Sequence, residues 1–163
     1  MRQLVNHVTR GNLNYVGLVR GASAAEFVAL RDADALGPDP FGGYARSVRA
    51  VLAAFREPGA LDRTVDYPLG RIPGRQALAV RTADTLVHTW DLARAIGADE
   101  RLDPALVEWL DDGIGAIYAD LAETPVSAET SHRFFAAPDP ASPTSASRQD
   151  LLLYRMGRRP QNR

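Results

Sequence analysis

The sequence predicts a mainly α protein whose helices pack as a bundle, and three observations carry the prediction. Apolar residues recur at helical spacing in four long segments. Caps and stops fall where those segments should begin or end, as at Ser23, Gly97 and Asp103-Pro104. Strand-like alternation is confined to one short stretch, Leu61 to Pro73.

The first helix is expected from Arg2 to about Val19, with Leu4, Val5, Val8, Tyr15, Val16, Leu18 and Val19 as its apolar set and Gly11 as the one interruption. Gly21 stops it. Ser23 then caps a short helical piece from Ala24 to Asp32, and Gly37 to Gly43 reads as a loop. Tyr44, Val48, Val51, Leu52 and Phe55 line a second amphipathic helix that ends before Pro58-Gly59. Leu61 to Pro73 reads as a turn-rich crossover or a short hairpin around Pro68 and Gly70. A third long helix runs from Gly74 to Gly97, and a fourth opens at Asp103-Pro104 and continues to Leu121. Residues 123–147 are rich in Pro, Ser, Thr and Ala and read as an irregular tail anchored by Phe134-Phe135, followed by a short helix over 148–157. No internal repeat is present, so residues 1–163 read as one domain.

Composition removes several function classes. A formal net charge of −1 gives no electrostatic footprint for nucleic acid. The absence of cysteine excludes disulfides, thiolate-ligated zinc and a cysteine nucleophile. No apolar run reaches the roughly 20 residues of a membrane span, and no signal-peptide pattern opens the chain. These readings predict a soluble, cytoplasmic protein. All nineteen basic residues are arginine, which with the Ala, Asp, Pro and Gly content suggests GC-rich coding DNA.

The chemistry concentrates in Asp84-Thr-Leu-Val-His88-Thr-Trp-Asp91. On a helix Asp84, His88 and Asp91 fall within about 60° of one another. Most of the remaining circumference is apolar, so this helix is expected to be central and the polar group shielded from bulk water. Buried carboxylates and imidazoles require compensation, and a divalent metal supplies it. A catalytic zinc site takes three protein ligands and keeps one position open. Asp84 and His88 provide two. His7 on the first helix and His132 in the tail are the remaining histidines, and the rigid helical position favours His7. The same donor set accepts Zn²⁺, Ni²⁺ or Fe²⁺. Asp91 is expected to orient a ligand imidazole from behind, or else to pair with Arg94. The competing account of Asp84 and His88 is a helix-stabilising i,i+4 pair, worth a few tenths of a kcal/mol. Trp90 reads as core, and Arg158-Arg159 as a solvated cap of the last helix. Neither a Gly-x-Ser-x-Gly elbow nor a phosphate-binding glycine loop is present.

The strings Arg2-Gln-Leu-Val-Asn-His7-Val, Pro68-Leu-Gly-Arg-Ile-Pro-Gly74, Asp84-Thr-Leu-Val-His88-Thr-Trp-Asp-Leu-Ala-Arg-Ala95 and Gly157-Arg-Arg-Pro160 resemble actinobacterial metal-binding proteins of the DinB-like superfamily. Those proteins are related to the metal-binding domain of mycothiol-dependent maleylpyruvate isomerase. The resemblance implies a DinB-like four-helix bundle holding zinc or nickel, with His7, Asp84 and His88 as ligands. It also implies a low-molecular-weight thiol such as mycothiol, activated at the metal to attack a small electrophile. The expected function is therefore a metal-dependent thiol S-transferase or isomerase. The alternative is a non-catalytic or degenerate metal-binding bundle that binds a small molecule or a protein partner. No residue is assigned a catalytic or thiol-binding role. Relatives carry a further helix before the segment holding the first histidine, and Met1 stands where they have valine. The expectation is an internal start, with the bundle's first helix missing here. A chain beginning at Met1 would expose an apolar face, leave His7 on a fraying terminal helix and favour a homodimer.

Overall fold

A computed structural model of the chain describes residues 1–121 and 146–160. Among them are six helices and one two-stranded sheet: α1 Arg2–Val19, α2 Ala24–Ala29, α3 Pro40–Arg56, β1 Thr64–Tyr67, β2 Gly70–Pro73, α4 Gly74–Ile96, α5 Pro104–Ile117 and α6 Arg148–Arg155. The mainly helical class expected from periodicity is therefore observed.

Local chemistry accounts for the ends of these elements. In α2 a capping box joins the Ser23 side chain to the Glu26 N–H and the Glu26 carboxylate to the Ser23 N–H. The helix stops at Ala29, short of the expected Asp32. The Asn6 side chain bonds Ala33 O at 3.0 Å and the Ala35 N–H at 2.8 Å, drawing the chain onto α1 instead. Arg2 pairs with Asp34 at 3.0 Å, an exposed contact between the first turn of α1 and the segment after α2.

The expected loop from Gly37 to Gly43 is shorter than its glycines suggest. Asp39 accepts from the Gly42 N–H at 3.0 Å and Pro40 occupies the first helical position, so α3 begins inside that stretch. Pro68 and Leu69 turn an antiparallel hairpin in which Thr64 faces Pro73 and Tyr67 faces Gly70. Of the two readings of 61–73, the hairpin is the observed one. Val65, Tyr67 and Ile72 point into the core from it. The fourth long helix, α5, ends at Ile117 rather than Leu121. Gly113 and Gly115 weaken its last turns, and Leu121 still reaches the core after a turn.

α4 is the central element. It packs on α1, α5 and both strands, while α1 also packs on α3, and α5 on α6. Val80, Ala83, Leu86, Val87 and Trp90 are all buried along α4, each large one worth about 1.5–3 kcal/mol of transfer free energy. Thr82, Thr85 and Thr89 line one outer face of α4, and the charged stripe of Arg81, Asp84, His88 and Asp91 lies on another, where Arg81 and Asp84 meet α1. Phe134-Phe135, His132 and the rest of the expected tail at 123–147 lie outside the described residues up to 145. No described helix is long and apolar enough to cross a membrane.

Candidate metal centre

The polar stripe of α4 meets the first turns of α1 at His7. His88 Nε2 lies 3.4 Å from Asp84 Oδ1, and His7 Nε2 lies 3.8 Å from the same oxygen. The two imidazole rings meet edge to face, with centroids 4.9 Å apart. One donor atom from each of the three residues can be chosen so that all lie within 4.8 Å of one another. Bonds of about 2.0–2.2 Å at tetrahedral angles require donors roughly 3.3–3.6 Å apart. Asp84 is thus near the required span from both histidines, and closing the remainder takes a shift of about an ångström.

Burial is graded across the cluster. The side chains of His88 and Asp84 are 14% and 22% exposed, whereas that of His7 is 46% exposed. The α4 group of Asp84, His88 and Asp91 is largely shielded from bulk water, as expected, and the opening to solvent lies on the α1 side at His7.

Two arginines brace the carboxylates. Arg81, with a side chain only 6% exposed, donates from Nη1 to Asp84 Oδ2 at 2.5 Å. It also donates from Nε to Asn12 Oδ1 at 3.0 Å and from Nη2 to Val8 O at 2.9 Å. A buried guanidinium is tolerable because its donors are used in this way. Asn12 in turn donates to Ser47 Oγ on α3 at 3.0 Å. Gly11 makes room: a Cβ there would stand 2.5 Å from Arg81 Nη1. On the other flank Asp91 Oδ2 lies 2.9 Å from His88 Nδ1, and Arg158 reaches the same carboxylate at 2.7 Å. With Nδ1 donating to Asp91, Nε2 is the nitrogen turned toward Asp84 and His7, and it becomes a metal donor once its own proton leaves.

These contacts set the ionisation. Burial opposes the charge on Asp84, but the neighbouring His7 and His88 imidazoles and the Arg81 charge override it and hold its pKa well below the usual carboxylate range. Burial likewise opposes the charge on His88, yet Asp84 and Asp91 raise its pKa to about 9. For Asp91 burial is again overcome, by His88 and Arg158, and its pKa is lowered. Tyr15 and Tyr67 near the carboxylate are pushed up, mainly by burial, and remain neutral.

The structure brings His7, Asp84, His88 and Asp91 together, and His132 lies outside the described residues. Two expectations are corrected. Arg158 is no solvated cap but an ion-pair partner of Asp91, and Arg94 pairs with Glu100 at 3.5 Å while lying over the Trp90 ring. Trp90 itself is core. Sequence reasoning missed Arg81 and Asn12. The signal was there: an arginine one turn before Asp84 on an otherwise apolar helix, and a glycine inside the helix it faces.

A protein-family model described as "Mycothiol maleylpyruvate isomerase N-terminal domain" matches residues 1–93, more than half of the chain. Two curated relatives, both called uncharacterized proteins and drawn from two strains of Mycobacterium tuberculosis, are 46% identical to it over 52 residues. The aligned segment is 32% of this chain, and it spans only 29% of the length of those relatives. No solved structure gives a significant match.

Proposed function

The chain belongs to the mycothiol maleylpyruvate isomerase N-terminal domain family, a DinB-like family, and from that premise we propose that it binds a divalent metal through His7, Asp84 and His88. The observation that carries this reading is the convergence of two imidazoles and one carboxylate at a place where His7 leaves a side open to solvent. The donor set suits zinc, with nickel or iron as alternatives. The packing of α1 on α3 and α4, and of α4 on α5, supports a DinB-like four-helix arrangement for the frame.

The reaction we infer is thiol S-transfer or isomerisation of a small electrophile, with a low-molecular-weight thiol of the mycothiol type as co-substrate. A bound divalent ion supplies Lewis acidity, which lowers the pKa of a coordinated thiol into the neutral range. The protein's own residues favour an anionic partner there. Arg81 balances Asp84 and Arg158 balances Asp91, so no surplus carboxylate repels an incoming thiolate. Asp91 faces His88 Nδ1 and Arg81 keeps Asp84 ionised, so a metal displaces only the Nε2 proton of His88 and neither side chain has to turn. His7 stands at the open rim, where a substrate meets the centre.

A second reading, a non-catalytic bundle, draws support from one observation. His88 already bridges Asp84 and Asp91, a charge network that needs no ion to be satisfied. Metal analysis of the purified chain separates the two. One equivalent of tightly held zinc or nickel, lost in His88→Ala, and a cobalt-substituted spectrum that shifts on adding a small thiol, support the enzyme. Absence of any stoichiometric metal sinks it in favour of the bundle.

A further inference from the structure

Arg158 lies far beyond residue 93, where the family match ends, yet its side chain reaches the candidate centre. Its position is built by the end of α6. Gly157 adopts a φ of 71°, its N–H bonds Tyr154 O at 3.0 Å, and the Arg158 N–H bonds Leu153 O at 2.8 Å. This closure uses a left-handed residue after the helix, a conformation glycine takes without steric cost. Leu152, Leu153 and Met156 bury the turn's inner side, so the backbone at Arg158 is anchored.

The guanidinium is held as firmly as the backbone. Nη1 donates to Met156 O at 2.8 Å, while Nε and Nη2 reach the two oxygens of Asp91 at 3.2 and 2.7 Å. Such a fork fixes the plane of a carboxylate as well as its place. Asp91 Oδ2, gripped in this way, faces His88 Nδ1 at 2.9 Å. The Arg158 side chain is only 17% exposed, so water competes poorly for the pair.

The geometry points to Arg158 as a positioning residue of the metal centre, the outer member of an Arg158–Asp91–His88 relay that fixes which His88 nitrogen faces Asp84 and His7. The inference rests on the metal-binding reading above and deepens it: the C-terminal segment completes a centre whose donors all lie within the matched family segment. Without the fork Asp91 can swing toward solvent. The His88 ring then loses the partner that holds its tautomer and orientation, which weakens a metal ligand without removing it.

Cobalt(II) titration of the full chain, followed by visible absorption and by chelator competition, tests the relay. The variants are Arg158→Gln, Arg158→Lys and Arg155→Gln. Arg155 pairs with Asp111 on α5, so its loss loosens the docking of α6 without touching Asp91. Arg158→Gln is expected to weaken cobalt binding by about 10–100-fold and to alter the absorption bands. Arg158→Lys should recover only part of the affinity, because an ammonium cannot fork onto both oxygens. Arg155→Gln should bind as the parent does. If Arg158→Gln fails to fold, Asp91→Asn carries the same expectation from the other side of the fork. Parental affinity and spectrum in Arg158→Gln, or an equal loss in Arg155→Gln, overturn the relay and leave the metal reading standing. A parent chain that takes up no cobalt overturns both.

Discussion

The α4 half of the donor set and the α1 half are built to different tolerances. Asp84 is gripped by a buried arginine that is itself tied to α1 at Val8 and Asn12, and His88 lies between two carboxylates. His7 is nearly half exposed, and its contact with Asp84 spans 3.8 Å, longer than a hydrogen bond. Preorganisation is therefore concentrated on one helix. On the proposed reading, the shift of about an ångström that tetrahedral bonding requires falls on the His7 side, where the side chain is nearly half exposed.

Breaking the rigid half should have the largest effect. Arg81→Met removes the buried guanidinium and leaves the Asp84 carboxylate, the Asn12 oxygen and the Val8 carbonyl short of a donor. Removing one partner of a buried pair costs about 3–5 kcal/mol, so urea unfolding of the metal-free chain should show a loss of that order. A loss below about 1 kcal/mol, the scale of an exposed pair, would mean that α4 owes its rigidity to apolar packing alone.

That same arginine marks the boundary of what the sequence disclosed. Helices α1, α3, α4 and α5 were legible because their apolar faces repeat at the helical period, and Asp84, His88 and Asp91 because i,i+3 and i,i+4 spacing puts them on one face. His7 followed from the scarcity of histidine. What the spacing did not pair up were contacts that join distant segments. Arg81 pairs within its own helix, but its burial depends on Gly11 and Asn12 some 69 residues away in sequence. Arg158 meets Asp91 across 67 residues, and nothing local distinguishes it from a solvated arginine. The start of α3 failed for a different reason: Gly42 and Gly43 resemble loop residues, yet the Asp39 cap and Pro40 outweigh them.

The pH dependence of stability sharpens the comparison with a smaller effect. In chelator-treated protein the folded-state pKa of His88 lies at about 9, against 6.5 for an unperturbed imidazole. The folded state therefore holds a proton that the unfolded state releases. Its contribution is fully present below pH 6.5 and is lost as the pH rises through about 9. Stability measured by urea midpoint should fall across that window, and His88→Gln should flatten the fall. A slope that survives in His88→Gln would assign it to another group and undo the claim that two carboxylates hold this ring.

His7→Ala should change the stability of the metal-free chain least, and that is why it discriminates best. A half-exposed side chain with no contact of hydrogen-bond length belongs with surface substitutions, which usually fall within about 0.5 kcal/mol of zero. On the proposed reading the same change removes one of three donors, so the stabilisation conferred by metal should collapse. For the parent at a free metal concentration of 100 times Kd that stabilisation is about 2.7 kcal/mol. Thermal unfolding with and without zinc reads both quantities from one protein. If His7→Ala lowers metal-free stability as much as His88→Ala does, the two halves are equally structural and the adjustable donor is a fiction. If it leaves both metal-free stability and the zinc-induced rise intact, Asp84 and His88 bind with some other partner, and α1 has no part in the centre. The reading of one fixed half and one closing half requires the third outcome: unchanged without metal, and lost with it.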